Sequence, residues 1–322
     1  MYLSTLNQSS PLLYLNCLNF RCTVDPETFI IEVRAQRNIR KGEEITTRYF
    51  EPWIGQPRRV LSIEKNWNFI CNCARCQDPT DFETYFSAIK CQTCYENSHF
   101  SDDILDNDNM ASHSDGCYVP NNTQNLESLW SCNKCGEEKA VYEIEHILTT
   151  MEEILEDMKS KLTKIRENNL PKFGKYIESS FHMLHQYLHP NHFLIFHYKI
   201  WILELELPND ILQHTKIKEK EIFDSSTKDE ILEAVSLLEL QLKYHKDVIS
   251  LIETLDPGLS ISMAQHLKHQ AQTRIQLSQL KQLINSENYS KMEYMTQMEK
   301  AFCELQQASI YFDYPEKKNF IS

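Results

Sequence analysis

Three cysteines fall within six consecutive positions of this chain, in a C-x-C-x-x-C array formed by Cys71, Cys73 and Cys76. This spacing is too tight for disulfide bonds among the three, because a disulfide needs its two cysteines at a defined separation and orientation. Three thiolates at this spacing can instead converge on one Zn²⁺ ion, which binds cysteine sulfur in tetrahedral geometry. The array therefore predicts a metal site that constrains how the chain around it folds.

Four further cysteines form two C-x-x-C motifs. Cys91 and Cys94 make the first motif, and Cys132 and Cys135 make the second after a long polar stretch. Two such motifs supply the four sulfur ligands of a closed tetrahedral site, as in zinc ribbons. We therefore expect two zinc ions in all. Because most of the eleven cysteines have metal-like spacing, we also expect a reducing compartment, cytoplasmic or nuclear.

The charge balance bears on the partner. The chain of 322 residues has a formal net charge of −13, which argues against nonspecific nucleic-acid binding and favours a protein partner. A basic segment is either a local binding patch or a set of scattered surface arginines; its members are Arg34, Arg37, Arg40, Lys41, Arg48, Arg58 and Arg59. No 18 apolar residues run together, so we expect no membrane span. We also expect no secretory signal and a monomer.

The first part of the chain is β-rich with irregular connections. Residues 29–35 are rich in β-branched and aromatic side chains and predict a strand, and residues 45–50 predict a second one. Residues 58–67 predict a helix that leads into the first cysteine array. Residues 96–128 are rich in Asn, Asp and Ser, which predicts a long loop between the two halves of the second zinc site.

From about Val141 the pattern changes to helical periodicity. Apolar residues recur every three or four positions between 144 and 165, which marks an amphipathic helix that Pro171 ends. Further helices are predicted over 177–188, 193–207, 231–255, 261–283 and 289–312. Long helices joined by short turns form antiparallel hairpins, so we expect an all-α domain that stacks like a tetratricopeptide (TPR) array.

Two strings of residues resemble a known family. One is Val33-Arg34-Ala35 followed by Ile39, Gly42-Glu43-Glu44-Ile45 and Tyr49, and the other is Asn68-Phe69-Ile70-Cys71-Asn72-Cys73-Ala74-Arg75-Cys76. They resemble the end of the split SET domain of SET and MYND domain (SMYD) lysine methyltransferases, in particular the arthropod branch. The resemblance implies an α+β fold. Its parts are the C-terminal part of a β-rich SET domain over 1–66, a post-SET cysteine segment over 67–90, a zinc-ribbon-like insert with a long polar loop over 91–140, and a TPR-like helical domain over 141–322.

The resemblance also implies roles for three aromatic residues. Tyr49 matches the tyrosine that borders the methyl-transfer channel, where it would orient a lysine amine towards the methyl group of S-adenosyl-L-methionine (AdoMet). Phe69 matches the aromatic residue that stacks near the cofactor adenine. Trp67 stands where the family usually has a channel-lining tyrosine, so an indole without a hydroxyl group would line the substrate channel. Without the resemblance, Tyr49 and Phe69 could also be ordinary packing residues with no role in binding or catalysis.

In the same family, the C-x-C-x-x-C array supplies three ligands of a zinc site beside the SET core. The fourth ligand comes from an N-H-S-C-x-P-N segment upstream, where this chain reads Leu15-Asn16-Cys17-Leu18-Asn19-Phe20-Arg21-Cys22. Cys17 is nearest to the expected place of the fourth ligand, and Cys22 is the other possibility. The Asn-His pair that contacts AdoMet in the family has no counterpart in this string.

The sequence is compatible with two functions. The MYND finger and the first half of the SET domain have no counterpart in the sequence, so we expect a chain truncated at its N-terminus. Under the first hypothesis, the chain is the C-terminal part of an AdoMet-dependent protein-lysine N-methyltransferase that acts on a histone or another protein. Under the second, it is a non-catalytic zinc-stapled module, a transcriptional co-regulator or scaffold, whose helical domain binds a protein partner.

Overall fold

The structure is a computed structural model, and it describes residues 20–35, 37–46, 48–99, 116–168, 170–205, 225–258, 260–284 and 290–312. These residues are mostly helical and include two small antiparallel sheets, which is consistent with the predicted α+β class. The chain divides into two compact units. Unit 1 contains the described residues of Met1–His146, Tyr187–Phe193 and Thr254–Leu259, and unit 2 contains those of Ile147–Gln186, Leu194–Glu253 and Ser260–Ser322.

A β-hairpin opens the described part of unit 1. Strand β1 (Phe20–Val24) pairs antiparallel with β2 (Ile31–Ala35). Asp25 shapes the connection, because its Oδ1 accepts hydrogen bonds from the backbone N–H groups of Glu27 and Thr28. Strand β2 confirms the strand predicted over 29–35.

The second predicted strand, over 45–50, is wrong. The described residues of this segment adopt no strand conformation. A β-rich sequence becomes a strand only where tertiary contacts supply a partner, and no described strand pairs with this segment. Side-chain contacts hold the segment instead. Arg48 Nη1, for example, lies 2.9 Å from Asp256 Oδ1 in an ion pair.

A second sheet has four short antiparallel strands in the order β3-β4-β5-β6. The strands are β3 (Ile89–Lys90), β4 (Cys117–Pro120), β5 (Trp130–Cys132) and β6 (Glu138–Lys139). Helix α3 (Gln92–His99) follows β3. The loop predicted over 96–128 is therefore wrong in part, because α3 and β4 both enter it. Residues 100–115 of that predicted loop lie outside the described residues.

Two helices flank the first cysteine array. Helix α1 (Gln56–Trp67) confirms the helix predicted over 58–67, and α2 (Ala74–Gln77) is a single turn inside the array. Helix α1 starts after Gly55, where a Cβ atom would lie 2.6 Å from the Phe193 ring. It ends at Asn68, whose left-handed conformation (φ 56°) turns the chain back on itself.

Three charged side chains lie buried in unit 1, and we call Arg59, Asp81 and Arg75 the arginine–aspartate cluster. Asp81 Oδ1 lies 2.5 Å from Arg59 Nη2 and 3.0 Å from Arg75 Nε, and all three side chains are 0% exposed. Asp81 also begins a turn of left-handed residues, in which Asp81, Phe82, Glu83 and Tyr85 have positive φ. Because left-handed backbone costs non-glycine residues roughly 1–2 kcal/mol each, contacts such as these ion pairs are needed to hold the turn.

Unit 2 consists of long helices, the first of which starts in unit 1. They are α4 (Val141–Asn168), α5 (Leu170–Tyr187), α6 (Phe193–Leu203), α7 (Ser225–Leu255), α8 (Ile261–Ile284) and α9 (Lys291–Phe312). The helices predicted from periodicity are confirmed, but α6 ends at Leu203, short of the predicted residue 207. Pro171 lies in the first turn of α5, where a missing N–H group costs nothing, so it separates α4 from α5. Within the described ranges, no helix has the length and apolar character that crossing a bilayer requires.

Aromatic and ionic contacts tie the helices of unit 2 together. The Phe181 ring of α5 lies 5.1 Å from the Tyr198 ring of α6 and 4.8 Å from the Tyr244 ring of α7, measured between centroids. Lys199 Nζ of α6 binds Asp247 Oδ2 of α7 at 2.6 Å. Helices α8 and α9 pack against each other. The resemblance of this unit to a TPR array stays a prediction.

Helices α7 and α8 bring two histidines together inside unit 2. The His245 and His266 rings are 5.8 Å apart, and the Nδ1 atom of each has no hydrogen-bond partner among the described residues. Desolvation and the neighbouring His269 lower the pKa of His266 to about 4, and desolvation, His266 and His269 lower the pKa of His245 to about 3. Unfolded histidine titrates near pH 6.5, so below that pH the unfolded chain binds more protons and the folded chain loses stability.

We expect His245 alone to lower the free energy of unfolding by about 2 kcal/mol between pH 7.5 and pH 5, since only the unfolded form is protonated there. The His245→Gln variant should show a flatter pH dependence, measured as the urea midpoint of the helical circular dichroism signal. His197→Gln, at an exposed position of α6, is the control and should behave like wild type. Equal pH dependence in wild type and His245→Gln would contradict the assignment.

Candidate metal centres

Cys91, Cys94, Cys132 and Cys135 converge in unit 1, and we call them the four-cysteine centre. Their Sγ atoms all lie within 4.8 Å of one another. Cys91 Sγ is 3.6 Å from Cys135 Sγ, and Cys94 Sγ is 3.7 Å from Cys132 Sγ. Four Zn–S bonds of about 2.3 Å in a tetrahedron place the sulfurs about 3.8 Å apart. The observed separations fit that geometry and are far longer than a disulfide bond.

The four-stranded sheet builds this centre. Strand β3 ends immediately before Cys91 and β5 ends at Cys132, so pairing of both strands with β4 brings the two C-x-x-C motifs together. The Cys91 N–H group donates to the Gly116 carbonyl at 2.8 Å. A Cβ atom on Gly116 would lie 2.5 Å from Cys132 Sγ and 2.8 Å from Cys94 Sγ. Glycine therefore lets the backbone pass close to the sulfurs.

Polar groups surround Cys91. The Tyr118 hydroxyl and Glu137 Oε2 each lie 3.5 Å from Cys91 Sγ. Thr93 Oγ1 donates to Glu137 Oε2 at 2.6 Å, and this hydrogen bond lowers the pKa of Glu137. Burial raises the pKa of Tyr118, so its hydroxyl stays protonated and can donate to a thiolate. A hydroxyl donor of this kind orients a metal-binding thiolate.

Cys71, Cys73 and Cys76 form a second group, which we call the three-cysteine centre. All three are buried, and their Sγ atoms lie within 4.8 Å of one another. Cys73 caps α2, because its Sγ accepts a hydrogen bond from the Cys76 N–H group at 3.2 Å. Ile63 of α1 and Phe69 pack in the same cluster. Hydrogen bonds with Cys73 and Cys76 raise the pKa of Cys71, so three thiolates here need a cation.

Neither predicted candidate for the fourth ligand of the three-cysteine centre is seen beside it in the described residues. Cys17 lies outside the described residues. Cys22 is exposed on β1. Among the residues that the structure describes, no further His, Cys, Asp or Glu joins the three-cysteine centre. The structure thus brings together the seven other predicted ligands, in one group of four and one of three.

The chemistry of both donor sets fits zinc. Groups of three or four cysteine sulfurs at tetrahedral spacing select Zn²⁺ over hard cations such as Mg²⁺ and Ca²⁺, which prefer oxygen. The geometry shows that both groups could hold a metal ion. Binding would displace the thiol protons, because thiolates are the ligands.

The three aromatic residues singled out from the sequence lie in one cluster. The Tyr49 ring is 4.9 Å from the Trp67 ring and 5.5 Å from the Phe69 ring, edge-to-face in both cases. The left-handed Asn68 at the end of α1 turns the chain between Trp67 and Phe69. Trp67 is 54% exposed, whereas Phe69 packs on the three-cysteine centre. The cluster therefore faces solvent on the side of Trp67 and packs against the three cysteines on the side of Phe69.

Reasoning from sequence missed the arginine–aspartate cluster. Arg75 lies between Cys73 and Cys76 in the array, and the arginine itself is fully buried. The sequence did contain a signal for this cluster. Arg75 lies inside a cysteine array that a metal would bury, and a buried charge requires a partner. Asp81 could not be identified as that partner from sequence, since the pairing with Arg59 spans 22 positions.

Comparison with known proteins adds to this geometry. No family model matches the chain. The chain is 30% identical over 125 residues to the SET domain-containing protein SmydA-8, isoform A, of Drosophila melanogaster. This alignment covers 37% of the chain and 23% of the relative. It is 37% identical over 70 residues to histone-lysine N-methyltransferase SET5 of Scheffersomyces stipitis, over 19% and 14% of the two chains. For SET5 of Candida albicans the identity is 44% over 48 residues, or 15% and 10%.

The chain is thus similar, over part of its length, to SET-domain proteins that include a SmydA-type relative. This similarity agrees with the resemblance found in residues 33–76. Each of the three matches spans less than a quarter of the relative's own length.

A single substitution tests the four-cysteine centre. Cys91→Ser removes one sulfur ligand, so the zinc content of the purified chain should fall by about one ion per chain, measured by inductively coupled plasma mass spectrometry. Cys303→Ser changes an exposed cysteine of α9 and should leave the zinc content unchanged. An unchanged zinc content in Cys91→Ser would show that the four cysteines are not a zinc site.

Proposed function

We propose that the chain is part of an AdoMet-dependent protein-lysine N-methyltransferase of the SMYD type, acting on a histone or another protein. The observation that carries the proposal is the cluster of Tyr49, Trp67 and Phe69 beside the three-cysteine centre. Relatives named histone-lysine N-methyltransferase support the reaction class. Because the matches are short, the activity and the substrate of the whole protein are both part of the proposal.

The aromatic cluster fits part of AdoMet. The cofactor combines a flat adenine ring with a positively charged sulfonium group, and aromatic faces suit both. Phe69 is half-buried against the three-cysteine centre, which fixes its ring for stacking. Tyr49 lies next to it on the side of Trp67. We assign Phe69 to the adenine and Tyr49 to the end of the cofactor where the methyl group is transferred.

AdoMet, when bound, supplies an electrophilic methyl group for the lysine amine. The Tyr49 hydroxyl would accept a hydrogen bond from the neutral amine and so direct the nitrogen lone pair, which is a positioning effect. Trp67 would line the entrance of the channel and attract the lysine side chain by cation–π interaction. An indole cannot accept a hydrogen bond as a tyrosine hydroxyl can, so Tyr49 carries the orientation of the amine.

We assign zinc to both cysteine centres, one ion in each, with the three-cysteine centre as the post-SET site and the four-cysteine centre as a zinc ribbon. Unit 2 would act as a TPR-like domain that binds the lysine-bearing protein. The acidic net charge of −13 favours a basic protein over nucleic acid as the partner. We propose a monomer that works in the cytoplasm, the nucleus or both.

A second candidate function is a non-catalytic interaction module. Helix α9 exposes apolar side chains that repeat along one face: Met292, Met295, Phe302, Leu305 and Ile310. Exposed apolar faces of this kind mark protein-binding surfaces. In that case the zinc-organised unit 1 would serve as a rigid support, and a co-regulator or scaffold role would follow.

AdoMet binding to the purified, zinc-loaded chain separates the two candidates. Isothermal titration calorimetry should show binding in the micromolar range, and Phe69→Ala should weaken it about tenfold or more because a fixed stacking surface is lost. Phe302→Ala removes an exposed aromatic ring from α9 and serves as the control. Absence of binding, with zinc present and the helical signal intact, would overturn the enzyme proposal for this chain and favour the interaction module.

A further inference from the structure

The arginine–aspartate cluster carries a surplus of positive charge. Two guanidinium groups and one carboxylate sum to one positive charge, and all three side chains are 0% exposed. Ser87 Oγ donates to Asp81 Oδ2 at 2.9 Å, and backbone carbonyls accept from Arg59 Nη1 and Arg75 Nη1. These contacts satisfy hydrogen bonds but leave the net charge in place. A buried net charge is costly without a counter-charge.

Two N–H groups of the cluster also lack partners. Arg59 Nε and Arg75 Nη2 are buried, and neither has a hydrogen-bond partner among the described residues. Buried N–H groups without an acceptor cost free energy. An anionic group nearby would balance the positive charge of the cluster and accept hydrogen bonds from these two N–H groups.

The three-cysteine centre lies beside the cluster. Arg75 is flanked by Cys73 and Cys76 in α2 and its N-cap. Arg59 lies one helical turn before Ile63 on the same face of α1, and Ile63 packs in the cysteine cluster. Burial lowers the pKa of Arg59, whereas Asp81 and the Cys76 sulfur favour the charged guanidinium and raise it.

The charges of the two groups are complementary when a divalent metal is bound. One Zn²⁺ ion with three thiolates sums to one negative charge, and a thiolate as fourth ligand would add another, so the loaded centre is negative where the arginine–aspartate cluster is positive. Asp78 is a further carboxylate close in sequence, and its two oxygens accept hydrogen bonds from Thr80 and Phe82 within the turn. Without a metal and with three neutral thiols, the surplus positive charge has no counterpart in either group.

We propose that the arginine–aspartate cluster is the electrostatic counterpart of a metal–thiolate centre at Cys71, Cys73 and Cys76, with Arg59 as the positioning residue that balances its charge. The inference rests on the metal assignment made under the proposed function. Arg59 does not bind the metal. It balances the negative charge of the loaded centre, while its bond to Asp81 links the centre to the left-handed turn that starts there.

Two substitutions that change the charge of the cluster in opposite directions test the proposal. Arg59→Met removes a positive charge and should weaken zinc binding at the three-cysteine centre by about tenfold or more, as loss of such supporting groups does elsewhere. Asp81→Asn removes a negative charge and keeps a side chain that tolerates left-handed backbone. It should leave zinc binding unchanged or make it tighter, although it lowers the free energy of unfolding. A merely structural role would weaken zinc binding in both variants.

The measurement is competition for zinc between the full zinc-loaded chain and a chromophoric chelator, with circular dichroism to check the fold. The four-cysteine centre is the internal reference and should release its zinc equally in all variants. Arg58→Met removes the neighbouring charge of α1, which lies over the Phe193 ring, and should match wild type. Arg59→Lys keeps the charge and should fall between wild type and Arg59→Met.

Each outcome is decisive. Weaker binding in Arg59→Met with unchanged or tighter binding in Asp81→Asn supports the proposal. Weaker binding in both, or no change in Arg59→Met, overturns it. If Arg59→Met does not fold, Asp81→Asn decides alone, because weaker zinc binding in that variant contradicts the charge balance. If wild type releases zinc from one centre only, and Cys91→Ser abolishes that release, the metal assignment of the three-cysteine centre itself has failed.

Discussion

The close approach of cysteine sulfurs is the constraint on which unit 1 depends. Seven cysteine sulfurs lie in two groups, each within 4.8 Å, and such groups are stable as thiolates only around a cation. The strands nearby are two to five residues long, too short to build a large apolar core. A metal ion in each group would supply what the core cannot, because its bonds would fix chain segments that are far apart in sequence.

The aromatic cluster inherits its position from this constraint. Phe69 packs on the three-cysteine centre. The Phe69 ring contacts the Tyr49 ring, which in turn contacts the Trp67 ring. In the proposed enzyme, the same centre would therefore set the geometry of the channel where the amine meets the methyl group. A small shift of the centre would move the rings, and positioning effects are sensitive to such shifts.

The parts of the molecule differ in how far sequence predicts them, and the difference is physical. Helices such as α7 and α8 follow from local periodicity, and the cysteine groups follow from spacing that suits few other roles. Residues 45–50 were mispredicted because strand formation depends on a partner strand. Asp81 could not be foreseen as the partner of Arg59 and Arg75, nor could its left-handed turn, since both depend on contacts between segments.

X-ray absorption spectroscopy at the zinc edge of the purified chain tests the central claim most directly. Two centres built from cysteine should give a first shell dominated by sulfur at about 2.3 Å. A first shell dominated by nitrogen or oxygen near 2.0–2.1 Å, or a chain that retains no zinc while it stays folded, would contradict a unit organised by metal–thiolate centres.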